Sequence, residues 1–136
     1  MRKTLSVIFA LLLILSLSCL TVGAAGNQVS VTSEGVTTEY ADYKDGFKAA
    51  KAGDTVTLLQ DITLYGSESL ELVAGADLTV DGNGFTIYSP YNCFYLHKGE
   101  ETNRVKLTLK NLTINTTEYD TKNCVQMKGY NDLVVE

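Results

Sequence analysis

The chain has 136 residues, 16 acidic against 11 basic side chains, and a formal net charge of −5. That length suits one domain, and the acidic surplus disfavours nucleic acid and anionic lipid as partners. With one proline, Pro90, and no low-complexity stretch, the composition excludes a chain of modules on flexible linkers.

The N-terminus reads as a secretory signal peptide over residues 1–25. Arg2 and Lys3 are followed by an uncharged stretch from Thr4 to Asn27, an unbroken apolar run from Val7 to Leu15, and the small residues Gly23, Ala24 and Ala25. Uncleaved, Leu5 to Ala25 is long enough to span a bilayer, but the serines within it and the small residues at its end favour cleavage. Cys19 as a lipid-modified cysteine is disfavoured by Ser16, which stands where a lipoprotein signal has an aliphatic residue. Cleavage after Ala25 leaves about 110 residues, enough for a core, and the loss of two positive charges takes the net charge from −5 to −7. The expected product is secreted or held at the cell surface, with no membrane contact once the signal is removed.

Residues 26–52 carry the next two elements. A weak alternation through Val29, Val31 and Val36 predicts a leading strand. Tyr40, Tyr43, Phe47 and Ala50 then fall on one face at spacings of three and four, which predicts a helix over 39–52 ended by Gly53.

From 53 to 136 the period becomes two. A first set of short strands reads Val56-Thr57-Leu58, Leu78-Thr79-Val80, Leu107-Thr108-Leu109 and Leu133-Val134-Val135. A second reads Ile62-Thr63-Leu64, Phe85-Thr86-Ile87 and Leu112-Thr113-Ile114; a third reads Leu70-Glu71-Leu72, Phe94-Tyr95-Leu96 and Val125-Gln126-Met127. The sets recur in the order one, two, three, as in a solenoid with three strands per coil. Outer residues of each triplet point inward and the middle one faces solvent. Stacking therefore predicts a column Val56, Leu78, Leu107, Leu133 and another Leu58, Val80, Leu109, Val135. In the third set Asn92-Cys93 through Gly99 matches Asn123-Cys124 through Gly129, with one residue inserted before Gly99. An antiparallel sandwich is the rival, because Asp81-Gly82-Asn83-Gly84 is a good hairpin signal. The equivalent point one period later, Lys110-Asn111, has no glycine, so the repeat makes the same bend without a hairpin.

The run from Phe47 through Gly53-Asp54-Thr55-Val56 to Leu64, followed by Leu78-Thr-Val-Asp-Gly-Asn-Gly-Phe-Thr-Ile87, resembles the opening of pectate-lyase-like right-handed β-helix proteins of Gram-positive bacterial surfaces, over about residues 40–136. The resemblance implies a right-handed parallel β-helix of about three to four coils, its open end covered by an N-terminal helix through Tyr43, Phe47 and Ala50. It says little about activity, since this fold carries lyases, hydrolases, adhesins and stalks. The open C-terminal coil is expected to pair with another chain or with further sequence.

The residues offer little for catalysis. Arg104 is the one arginine left after cleavage and sits in a polar loop; a lyase base beside Ca²⁺-holding acids is the alternative to a solvated charge there. Asp54, Asp77 and Asp81 lie at strand ends without forming a carboxylate column, and Asp54 and Asp81 read as turn residues. His97 is a lone histidine without metal-ligand spacing, expected in solvent. No metal or cofactor is therefore expected. The outward threonines Thr57, Thr79, Thr108 and Thr63, Thr86, Thr113 suit exposed strands; ice binding is their alternative use. Asn111-Leu-Thr113 and Asn115-Thr-Thr117 fit the N-glycosylation pattern. Cys93 and Cys124 occupy stacked positions, which suits either a disulfide or two thiols. Tyr88, Tyr91 and Tyr95 cluster near the turn after the second strand, with Tyr119 and Tyr130 one coil later. Aromatic faces stack on sugar rings, and these three form the candidate ligand site. The expected function is a non-enzymatic extracellular module that binds glycan, adheres or serves as a stalk. The alternative is the front of a polysaccharide lyase or glycoside hydrolase whose active site lies in later coils.

Overall fold

The computed structural model describes residues 26–116 and 123–136. The expected signal peptide and Tyr119 lie outside the described residues. The described chain runs as β1 (Val29–Ser33), β2 (Val36–Tyr40), α1 (Tyr43–Ala49), β3 (Thr55–Leu58), β4 (Ile62–Thr63), β5 (Leu70–Leu72), β6 (Asp77–Asp81), β7 (Thr86–Tyr88), β8 (Phe94–Gly99), β9 (Val105–Lys110), β10 (Thr113–Asn115), β11 (Val125–Gly129) and β12 (Asn131–Val135).

Every third strand from β3 onward stacks in parallel. The first sheet has the order β12-β9-β6-β3-β1-β2, the second β10-β7-β4 and the third β11-β8-β5. This is the expected parallel β-helix, and the antiparallel sandwich is excluded: β6 pairs with β9 and β9 with β12 in parallel, with Leu78, Leu107 and Leu133 in one column. Alternate residues turn inward, and Val56, Leu58, Ile62, Val80, Ile87, Phe94, Leu96, Val105 and Leu107 form an almost fully enclosed interior. Each such side chain contributes on the order of 1.5–3 kcal/mol, so the coils depend on one another to close that interior.

The register between the first two coils differs from expectation by two residues. Val56 pairs with Val80 rather than Leu78, and Thr57 with Asp81. Ile62 pairs with Ile87 rather than Phe85, and Thr63 with Tyr88. A slip of two leaves every inward residue inward, so the apolar pattern alone cannot distinguish the two registers. In the first threonine row Thr55 takes the place expected of Thr57, beside Thr79 and Thr108, whereas the second row is interrupted at the first coil, where Thr63 meets Tyr88. The third sheet keeps the expected register, Leu70 under Phe94 under Val125. The inserted residue is a bulge at Lys98, which takes φ 61°, after which Gly99 and Gly129 come back into register.

The bend between the first and second sheets is repeated coil on coil without a hairpin. Asn83 and Asn111 both adopt the left-handed conformation, at φ 51° and 49°, which asparagine tolerates better than most residues. The Gly82 and Gly84 amides donate to the Lys110 and Asn111 oxygens at 2.8 and 3.0 Å.

The N-terminal cap is more than one strand and a helix. Glu34 and Gly35, at φ 51° and 81°, turn the chain back, so residues 29–40 form a hairpin whose β1 pairs antiparallel with β3. This covers the edge of the first sheet and leaves the polar β2 outermost. The helix is shorter than expected. Tyr40 is engaged with Val29 in the hairpin, Asp42 caps the helix by accepting from the Lys44 amide at 2.8 Å, and the chain leaves the helix at Ala50. Gly53, at φ 91°, instead turns the chain into β3. Tyr43 is buried, and Phe47 and Ala50 pack on the core as expected of a cap. The rings of Phe47 and Phe94 lie 6.5 Å apart.

Candidate ligand-binding surface

The turn after the second sheet presents aromatic side chains in two successive coils. Tyr88 ends β7, and its backbone oxygen accepts from the Leu64 amide at 2.8 Å, extending the ladder one residue past β4. Tyr65 follows Leu64, and Gly66, at φ 58°, turns the chain away. Thr63, Tyr65, Gly66, Tyr88 and Pro90 border a groove of about 280 Å³. Tyr65 is 70% exposed and Tyr88 40% exposed. Sequence reasoning passed over Tyr65. The signal was present, since Tyr65 follows the second strand of the first coil much as Tyr88 ends that of the next.

Ser89 fixes the floor of this turn. It is buried, its amide donates to the Asn115 oxygen at 2.9 Å, and its hydroxyl donates to the Tyr91 oxygen at 3.1 Å while facing the Tyr91 amide at 3.3 Å. Tyr91 is thus held half-buried in the bend leading to the third sheet.

Tyr95 belongs to the outer face of that third sheet. Glu71 and Gln126 flank it in register, and Asn92 donates to Gln126 Oε1 at 2.8 Å. The Tyr95 ring stacks on His97 with centroids 4.5 Å apart and planes within 4°, and Lys128 Nζ stands 5.5 Å from its centroid. His97 is accordingly not the freely solvated histidine expected. Its side chain is 14% exposed, with Nε2 3.4 Å from Glu71 Oε2 but without a hydrogen bond.

The residues considered for catalysis have structural employment. Arg104 grips Asp132 through Nε and Nη2 at 2.7 and 2.6 Å and donates to the Asn131 oxygen at 3.2 Å, so it pins a loop to the last coil rather than standing free in solvent. Asp54 accepts from Ser33 and from the Lys51 amide, which together hold its carboxyl below the usual range. Asp81 is pushed up by burial, but the Asn83 amide, Asn111 and Lys110 outweigh this and hold it low. Asp77 pairs with Lys106 at 3.5 Å. Among the described residues no group of three or more His, Cys, Asp or Glu side chains is placed to hold a metal ion.

No family model, no curated protein and no solved structure matches this chain.

Proposed function

We propose that the chain is a secreted or cell-surface β-helix module that binds neutral polysaccharide along the turn between its second and third sheets. The observation that carries the reading is the groove bordered by Tyr65 and Tyr88, two exposed aromatic side chains from adjacent coils. Exposed aromatics beside a concave surface suit the apolar faces of sugar rings, and Thr63 supplies an exposed hydroxyl at the same place. Tyr91, next in the chain to Pro90, and Tyr95 extend the proposed surface toward the third sheet. The net charge, −5 for the full sequence and −7 without Arg2 and Lys3, argues for neutral rather than uronic acid polymers.

The chain has eight tyrosines and no tryptophan, so its fluorescence is that of tyrosine, and Tyr65, Tyr88, Tyr91 and Tyr95 of the proposed surface contribute to it. Titration with a panel of soluble neutral polysaccharides is expected to give saturable changes that chelator leaves intact. Unaltered affinity in the Tyr65→Ala/Tyr88→Ala variant would remove this surface as the binding site. Export is tested separately, by N-terminal sequencing of the protein recovered outside the cell, which is expected to begin just after Ala25.

A further inference from the structure

We infer that Cys93 and Cys124 are a modification site: a disulfide that ties the second coil to the third. The Cys124 oxygen accepts from both the Cys93 and Phe94 amides, at 3.2 and 3.0 Å. With Val125 opposite Phe94, Cys124 therefore stands over Cys93 on the neighbouring parallel strand. Adjacent strands lie about 4.8 Å apart, within the roughly 4.4–6.8 Å that a disulfide allows between Cα atoms.

The two positions differ in a way that sets the order of events. Cys124 is exposed and Cys93 is buried in the wall of the core. Burial, with Cys124 nearby, pushes the Cys93 thiol up, so Cys124 is the group that meets an external disulfide. The Cys124 thiolate attacks one sulfur of a donor disulfide such as oxidised glutathione; the donor S–S bond breaks and one donor thiolate leaves. Cys93 then gives its proton to solvent, and its thiolate attacks Cys124 Sγ. The mixed disulfide breaks and the second donor thiolate leaves and is protonated. Two protein thiols are oxidised to one disulfide, and one donor disulfide is reduced to two thiols. The second step is intramolecular, and proximity offsets the small thiolate fraction at Cys93.

Exposed Cys124 also borders an apolar opening at the last coil, with Leu112, Ile114, Val125 and Val135. A disulfide there holds β11 on β8, the outermost pair of the third sheet among the described residues.

The test incubates the protein in a glutathione redox buffer, alkylates remaining thiols and maps the peptides by mass. The expected result, in the chain that begins after Ala25, is a Cys93 peptide joined to a Cys124 peptide within one molecule. Alkylation of both Cys93 and Cys124, or a bond that joins two molecules instead, would overturn the assignment. Reduction of the joined protein should lower the thermal midpoint by about 4–8 °C or more, and the Cys124→Ser variant should show no such drop. An equal drop in that variant, or none in the parent chain, also overturns it.

Discussion

The carbonyl oxygen of Tyr130 stands where a Cβ on Gly99 would have to be. The two residues belong to successive coils, and the Tyr130 amide donates to the Gly99 oxygen at 3.1 Å. The neighbouring atom is backbone, so a side chain at 99 cannot be accommodated by a rotamer change. Gly99→Ala is expected to push β12 off β9 and to cost about 1–3 kcal/mol, the usual range for overpacking. Gly129→Ala meets a less severe approach, 2.8 Å to the Gly99 oxygen, but adds a φ of 91° and should be destabilising as well. Urea denaturation midpoints measure both; an unchanged midpoint for Gly99→Ala would mean that the coils are not in contact here.

Phe94 and Phe47 provide a graded test of the cap. Phe94 is fully enclosed, so Phe94→Ala should cost about 3–5 kcal/mol, a large part of the roughly 5–15 kcal/mol by which a domain is stable. Phe47 packs against it from the helix and is only partly buried. Phe47→Ala is therefore expected to be destabilising by less, with the loss appearing as earlier proteolysis of residues 29–50. Equal protection of that segment in the variant and the parent would show that the helix is not held by this contact.

The coil order and the fold could be read from the sequence because three strand sets recur in one order, and β3 through β12 follow that order. The expected register holds between β6, β9 and β12, between β7 and β10, and throughout the third sheet. Asn92-Cys93 and Gly99 against Asn123-Cys124 and Gly129 fixed the third sheet, including the bulge at Lys98. Val56-Thr57-Leu58 carries no such mark, and there the pairing is shifted by two. The hairpin was hidden because β2 is exposed on both faces and shows no apolar alternation; its one local signal was Glu34-Gly35. Of the proposed surface, Tyr88, Tyr91 and Tyr95 were visible as a cluster in sequence. The groove itself depends on Tyr65, brought beside Tyr88 only by the stacking of coils.

The tyrosines are expected to contribute unequally to glycan affinity. Tyr65 and Tyr88 border the groove, whereas one face of Tyr95 is covered by His97. An aromatic contact is worth about 0.5–1.5 kcal/mol, so Tyr88→Ala should weaken binding roughly two- to tenfold, and Tyr95→Ala by less. Isothermal titration against the best polysaccharide ligand checks the order. A larger loss for Tyr95→Ala than for Tyr88→Ala would move the site to the outer face of the third sheet, around Glu71, His97 and Lys128.

Acid should loosen the last coil before the interior. The hydrogen bond from Arg104 holds the Asp132 carboxyl below its ordinary value, and Lys44 does the same for Glu68 at the cap. A carboxylate whose pKa is lower in the folded chain binds fewer protons there than in the unfolded one. Its contribution is therefore present above the ordinary carboxylate pKa and is lost as the pH falls through the lowered value. Asp132→Asn removes that dependence along with the ion pair. The stability gap between the parent chain and Asp132→Asn should accordingly be widest near neutral pH and narrow as the pH falls below about 4. Because the pair lies at the surface, the gap at neutral pH should also shrink in high salt. Thermal midpoints at several pH values and two salt concentrations measure both trends, and a gap independent of pH would show that Asp132 acts through something other than its charge on Arg104.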